Sequence, residues 1–345
     1  MQIDKKKYKI VCVTPAGRRR YMKALIPQIL SSSFIDRYDI WVNTTDQNDI
    51  QFFQKLGETF DKIRIIKHPE GKINGIKSIN AFFTTATEPD TIYIRLDDDV
   101  VWIEPDFFKK IIEFRIANPH YFLVAPLIIN NALCSHVLQS EKKLECSQYI
   151  RAEVFDAMGW KNGEFALNLH KWFVRKVNNN TYQDLYCGIK PIALNRFSIN
   201  CIAWFGETFR KFNGIVLEDE EEFLTVTKPL ELGMANCFYC NTIVAHFAFF
   251  SQRGNLDKTN ILEEYLKIID NTYAQNTDYS YNRNKIEEIL ETVNEYKYHE
   301  SKKHPRNLID KIKLRVYHLK VPVIKLASIG QLKSNLIDSK IKSES

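Results

Sequence analysis

The chain contains no run approaching 18 consecutive apolar residues, which excludes a bilayer-spanning helix. It contains no Gly-x-Gly-x-x-Gly, so a dinucleotide site of Rossmann type is not expected, and Gly71–Ser78 carries Gly, Lys and Ser without P-loop spacing. It has no internal repeat of solenoid period and no low-complexity segment. Cys237-Phe238-Tyr239-Cys240 is a lone CxxC. A zinc ribbon needs a second such pair, so these residues read as apolar strand thiols. The seven cysteines, an odd number scattered along the chain, argue for reduced thiols in a cytosolic compartment. Near the start, the apolar run Ile10–Val13 stops at Thr14-Pro15, too short for the core of a signal peptide, and reads as a buried first strand.

What is present is an ordinary globular composition, 45% apolar and 26% charged over 345 residues, enough for one large domain or two of usual size. The net charge of +6 is unevenly spread. Residues 297–345 hold twelve Lys/Arg against four acids, a net +8, which leaves the preceding 296 residues at −2. In this tail Leu308, Ile309, Ile312, Val316 and Leu319 recur at helical spacing up to Pro322. Such a segment reads either as a membrane-surface helix on anionic lipid or as an ordinary helix with its lysines outward. Nucleic acid is not expected as a partner, because no aromatic stacking platform accompanies the charge. The implied location is cytoplasmic, with a peripheral position at the inner face of the membrane if the tail binds lipid.

The first hundred residues alternate between two periodicities. Apolar strands are expected at Lys9–Val13, Tyr38–Val42, Ile63–Ile66 and Thr91–Leu96, and helices at Arg18–Ser31, Ile50–Phe60 and Ile76–Thr87. This order predicts an α/β fold of Rossmann type, with a mostly parallel central sheet flanked by helices. Ligands in such sheets bind beyond the carboxyl ends of the strands. Later strands are expected at Tyr121–Ile129, Phe197–Phe205 and Asn236–Phe250, and helices at Glu263–Ile269 and Asn282–Tyr296; Cys134–Asn180 reads as a mixed polar stretch.

Ile92-Tyr93-Ile94-Arg95-Leu96 runs directly into Asp97-Asp98-Asp99. Three carboxylates at the end of a buried strand repel one another and are costly without a cation. Mg²⁺ or Mn²⁺ accepts oxygen ligands and keeps positions open for substrate phosphates. Alternation places Asp97 and Asp99 on one side, so the pair can face one ion, with Asp98 on the other.

The segment from Gly75-Ile76-Lys77-Ser78-Ile79-Asn80-Ala81 through that strand to Asp97-Asp98-Asp99 resembles nucleotide-sugar-dependent glycosyltransferases of the GT-A fold, of the type that build bacterial surface polysaccharides. The resemblance spans roughly residues 8–250. It implies a nucleotide-binding half of about 1–104, an acceptor half of about 105–255 and a helical C-terminal region of 256–345 ending in the basic tail. It implies that Asp97 and Asp99 hold Mn²⁺ or Mg²⁺ on the diphosphate of a nucleoside-diphosphate sugar, with His246 as a further ligand. Thr14, Pro15, Arg18, Asp46, Lys77, Asn80, Arg95, Asp97 and Asp98 are the implied donor contacts. The acceptor would be a hydroxyl of a glycan or lipid-linked glycan.

Leu217-Glu218-Asp219-Glu220-Glu221-Glu222 is a second acidic cluster. Carboxylates favour a helix N-terminus, which accounts for two or three of the five. The resemblance implies that, if the reaction inverts, one of them is a general base, Asp219 first and Glu220 second, and that, if it retains, this carboxylate only positions the substrate. His246, alone among apolar residues, also reads as a core side chain. Two alternatives stay open: a haloacid-dehalogenase-like phosphatase with Asp97 as nucleophile, since Asp97-x-Asp99-x-Val101 fits that motif, and an inactive domain serving as a binding scaffold.

Overall fold

The computed structural model describes residues 8–71, 76–193 and 195–293, without the side chains of Ile76 and Lys77. The basic tail lies outside the described residues. In chain order the elements are β1 (Lys9–Ala16), α1 (Arg19–Leu30), β2 (Arg37–Val42), α2 (Gln47–Thr59), β3 (Ile63–Ile66), α3 (Ile76–Phe82), β4 (Thr91–Leu96), β5 (Val100–Ile103), α4 (Phe107–Ala117), β6 (Tyr121–Ile129), α5 (Ala132–Ser140), α6 (Gly163–Asn178), β7 (Ile189–Ile192), β8 (Cys201–Phe205), α7 (Gly206–Arg210), α8 (Glu220–Glu222), α9 (Lys228–Leu232), β9 (Ala235–His246), α10 (Phe250–Leu256), α11 (Ile261–Thr272) and α12 (Thr277–Glu291).

Among the described residues, nine strands form one sheet in the order β3-β2-β1-β4-β8-β6-β9-β5, with β7 on β9. The β3-β2-β1-β4 half is parallel throughout. Its central strands are apolar on both faces, as helix-covered parallel strands must be. Beyond β4 the sheet is mixed: β8 runs antiparallel to β4 and β6, while β9 is parallel to β6 and antiparallel to β5 and β7. The chain leaves β1 for β2 on one side and returns to β4 on the other. The carboxyl ends of β1 and β4 are therefore a topological switch point, where open α/β sheets bind ligands.

Two local details shape the second half. Pro126 sits inside β6 and has no N–H to donate to the ladder. Opposite it, β9 steps from Tyr239 to Ile243 between consecutive β6 partners, so Cys240–Thr242 form an insertion. The expected strand 197–205 pairs only from Cys201, and the expected 236–250 strand ends at His246, because α10 begins at Phe250. The helix expected over 76–87 gives way at Phe83 to a 3₁₀ turn. β5 and α4 are additional to the elements expected from the sequence. α11 and α12 pack on α1, α2 and α6, within the same compact unit as the sheet. No helix of the described residues is long and apolar enough to cross a membrane.

β5 pairs with β9 alone, so its other edge needs cover. The fully buried Gln28 of α1 supplies it: its Nε2 donates to the Val101 carbonyl at 3.2 Å and its Oε1 accepts from the Ile103 N–H at 2.9 Å. Gln28→Leu leaves both strand groups buried without partners. Urea denaturation is expected to show a loss of about 2 kcal/mol with an unchanged m-value.

Candidate active site

The switch point brings the end of β1 against the end of β4. The Gly17 N–H donates to Asp98 Oδ2 at 2.8 Å, and Arg18 Nε donates to Asp98 Oδ1 at 2.8 Å. A Cβ on Gly17 would stand 2.9 Å from the Asn43 carbonyl oxygen, so only glycine lets the β1 and β2 loops close here. Arg18 also reaches Asp99 Oδ2 at 3.0 Å, and Arg253 approaches the same oxygen at 3.5 Å. Asp98 thus belongs to the loop junction. The expected strand alternation does not hold here: Asp97–Asp99 form a turn between β4 and β5, closed by the Val100 N–H donating to the Asp97 carbonyl at 3.0 Å, and Arg18 reaches both Asp98 and Asp99.

Asp97, Asp99 and His246 each offer one ligand atom, and all three atoms lie within 4.8 Å of one another. Register explains the convergence: His246, the last residue of β9, stands opposite Val100, the first of β5. His246 Nε2 is 3.4 Å from Asp99 Oδ1, and that buried oxygen has no hydrogen-bond partner among the described residues. An orphaned carboxylate oxygen beside an imidazole and a second carboxylate suits a borderline-hard divalent cation. Burial alone would raise the Asp99 carboxyl, but Arg18, His246 and Arg253 outweigh it and hold it well below the usual carboxylate range. Burial lowers the His246 imidazole, yet Asp99 more than compensates and its proton affinity rises. Asp98 goes the other way, raised by burial despite Arg18.

An open cleft of about 370 Å³ lies over this cluster, lined by Pro15, Gly17, Arg18, Asn43, Thr44, Ile79, Arg95, Asp97, Asp98, Glu220 and Arg253. A second hollow, lined by Ile79, Asn80, Arg196, Asp219, Glu220 and Glu221, shares Ile79 and Glu220 with the first. Arg95 bridges the two acid clusters, with Nη2 at 2.9 Å from Asp97 Oδ1 and Nη1 at 3.0 Å from Glu220 Oε2. Asn200 Nδ2 donates to the other Asp97 oxygen at 3.1 Å. Asn80 donates to the Glu218 carbonyl at 2.8 Å, joining α3 to the acidic helix.

Not every expected residue reaches the cleft. Thr14 is fully buried and accepts from the Tyr38 hydroxyl at 3.0 Å inside the sheet. Asp46 caps α2, accepting from the Asn48 and Asp49 N–H groups, so Asn43 and Thr44 form that wall instead. The Lys77 side chain lies outside the described residues. Asp219 is the N-cap of α8, accepting from the Glu222 N–H, and it pairs with Arg196 at 2.9 Å. Arg196, Asn200 and Glu221 escaped the sequence reading. Arg196 and Asn200 lie between β7 and β8 with no motif, and Glu221 is one acid among five.

No family model and no curated protein matches the chain. Solved structures similar to it include the mannosyltransferase PcManGT from Pyrobaculum calidifontis in complex with GDP-Man and Mn²⁺, at TM-score 0.43 and 9% identity, covering 84% of this chain and 76% of that one. Glucosyl-3-phosphoglycerate synthase from Mycobacterium tuberculosis in complex with Mn²⁺, UDP and phosphoglyceric acid follows at 0.41 and 14%, covering 76% and 79%. CMP:2-keto-3-deoxy-manno-octonic acid synthetase complexed with CTP stands at 0.39 and 12%, covering 76% and 99%. These scores and identities assign neither a family nor an activity.

Glu221 yields a stability prediction. Burial, reinforced by Asp219 and Glu220 against the opposing Arg196, pushes its carboxyl from 4.5 up to about 7. The folded chain then holds a proton that the unfolded chain has released, so stability falls as pH rises from about 4.5 to about 7. Glu221→Gln mimics the protonated form. It should match the parent near pH 4 and exceed it at pH 8 by about 2 kcal/mol, the full linkage value being reduced by solvent at a part-exposed side chain. Chemical denaturation at the two pH values checks this.

Proposed function

We propose that the chain is a metal-dependent glycosyltransferase moving a sugar from a nucleoside diphosphate to a hydroxyl of a glycan or lipid-linked glycan. The observation that carries the reading is the Asp97, Asp99 and His246 cluster at the switch point, beneath a cleft walled by Arg18, Arg95 and Arg253. Asp97, Asp99 and His246 would hold Mn²⁺ or Mg²⁺. Such an ion, when bound, supplies positive charge to the departing diphosphate. Arg18 and Arg253, on the same side of Asp99, offer donors to phosphate oxygens. Pro15, Gly17, Asn43 and Thr44 form the wall for the nucleoside. The basic tail 297–345 would add attraction to an anionic membrane carrying the acceptor.

The acceptor occupies the second hollow in this reading. Its hydroxyl oxygen attacks the anomeric carbon as the bond to the diphosphate oxygen breaks, and a carboxylate takes the hydroxyl proton. Glu220 is the acid best placed for that role, because it lines both hollows. Asp219 is committed to capping its helix and Glu221 to Arg196. Burial raises the Glu220 carboxyl even against Arg95, the direction a base working near neutrality needs.

Two measurements test the proposal. In a panel of UDP- and GDP-sugars with and without Mn²⁺, one donor should raise the Tm only when Mn²⁺ is present, and Asp99→Ala should abolish that rise. Tight metal-independent binding, unchanged in Asp99→Ala, would sink the reading. With the donor identified, Glu220→Gln should lower kcat by about 10²-fold or more with little change in donor affinity, and Asp219→Asn should lower it less. The reverse order would move the base to Asp219.

A further inference from the structure

His246 can serve as a ligand through Nε2 only if Nδ1 carries the proton, and the ring itself prefers neither nitrogen strongly. The structure contains a group that makes the choice. His246 Nδ1 lies 3.1 Å from the carbonyl oxygen of Asn130, a pure acceptor that requires a proton on Nδ1. That leaves the Nε2 lone pair facing Asp99 Oδ1, two acceptors 3.4 Å apart with a proton or a cation needed between them.

Asn130 is built to hold that carbonyl still. It follows β6 in the left-handed region, at φ 62°, which asparagine tolerates and most residues resist. Its side chain is fully buried, and Nδ2 donates to the Phe247 carbonyl and to Gln252 Oε1, both at 2.9 Å. The Phe247 carbonyl is also held by His170 Nε2 at 2.7 Å, and the Phe247 N–H donates to the Asp99 carbonyl at 2.7 Å. Asn130 therefore grips the carbonyl of the residue that follows His246 with its side chain and the imidazole with its own carbonyl.

We infer that Asn130 is the positioning residue of the metal cluster, fixing His246 as the Nδ1–H tautomer with Nε2 turned toward Asp99. The inference rests on the metal reading of that cluster. Outer partners of this kind change metal affinity by about 10- to 100-fold when removed. Asn130→Gly keeps the left-handed turn free of strain and deletes only the amide grip.

The test uses ¹⁵N-labelled, metal-free protein at alkaline pH, where the ring is neutral. Two-bond ¹⁵N–¹H correlations should show His246 as pure Nδ1–H in the parent and as a tautomer mixture in Asn130→Gly. Electron paramagnetic resonance titration should show Mn²⁺ affinity falling about tenfold. An Nε2–H tautomer in the parent overturns the inference, as does a variant unchanged in both readouts. If Asn130→Gly proves unfolded by circular dichroism, Asn130→Asp, which keeps the shape and the turn but loses the donor, takes its place under the same criteria. A parent that binds no Mn²⁺ overturns the metal reading, while the tautomer comparison still decides the role of Asn130.

Discussion

The structure is organised around the cost of burying three consecutive carboxylates at the end of a central strand. Two such charges about 5 Å apart repel by about 3 kcal/mol at an effective dielectric near 20, before any loss of hydration is counted. Positive charge converges on them from three parts of the chain. Arg18 comes from the β1 loop, Arg95 from β4 itself, and Arg253 from α10. The strand order 3-2-1-4 makes the first of these possible, because it puts the end of β1 beside the end of β4. The long β9 makes the His246 contact possible by running back along β5 to Val100. Three arginines and one histidine leave one buried Asp99 oxygen unsatisfied, and that remainder gives the cluster its chemical meaning.

Much of this could be read from the sequence because it depends on local periodicity. The β1 to β4 half alternates cleanly, so its strands, its helices and the position of Asp97–Asp99 at a strand end followed from apolar spacing. The second half was harder to read for a physical reason. β5 is four apolar residues whose edge is satisfied by Gln28, far away in sequence, and β9 carries an insertion opposite Pro126, which blurs any period of two. Asp46 shows the limit of reading a site from position alone. A carboxylate after a strand and before a helix satisfies two backbone N–H groups, and that local demand decided its role. Arg196 and Asn200 carry no spacing signal because their partners, Asp219 and Glu221 for the one and Asp97 for the other, are distant in sequence. The tail, which holds the excess positive charge, lies outside the described residues.

Two non-glycine residues in the left-handed region flank the site, and both use the turn in the same way. Asn130 aims its carbonyl at His246, and Glu218, at φ 55°, aims its carbonyl at Asn80. For Glu218 the conformation costs about 1 kcal/mol or more, since its side chain offers none of asparagine's local compensation. Backbone strain at the entrance to the acidic helix is tolerated because Asn80, itself buried, takes the displaced carbonyl and anchors that helix to α3. The Asp97, Asp99 and His246 cluster and the acidic helix thus each use a backbone carbonyl in a left-handed turn as one of the contacts that fix them.

Arg95 couples the two. It is buried, it pairs with Asp97 on one side and Glu220 on the other, and its guanidinium stands at 5.6 Å from the Phe83 ring centroid, which limits its freedom to move. Any positive charge added beside Asp97 competes with Arg95 for that carboxylate. A weaker hold on Asp97 lets the guanidinium commit more fully to Glu220, which favours the ionised carboxylate there. In the proposed reading, a cation beside Asp97 would therefore lower the proton affinity of Glu220 through a single side chain that touches both carboxylates.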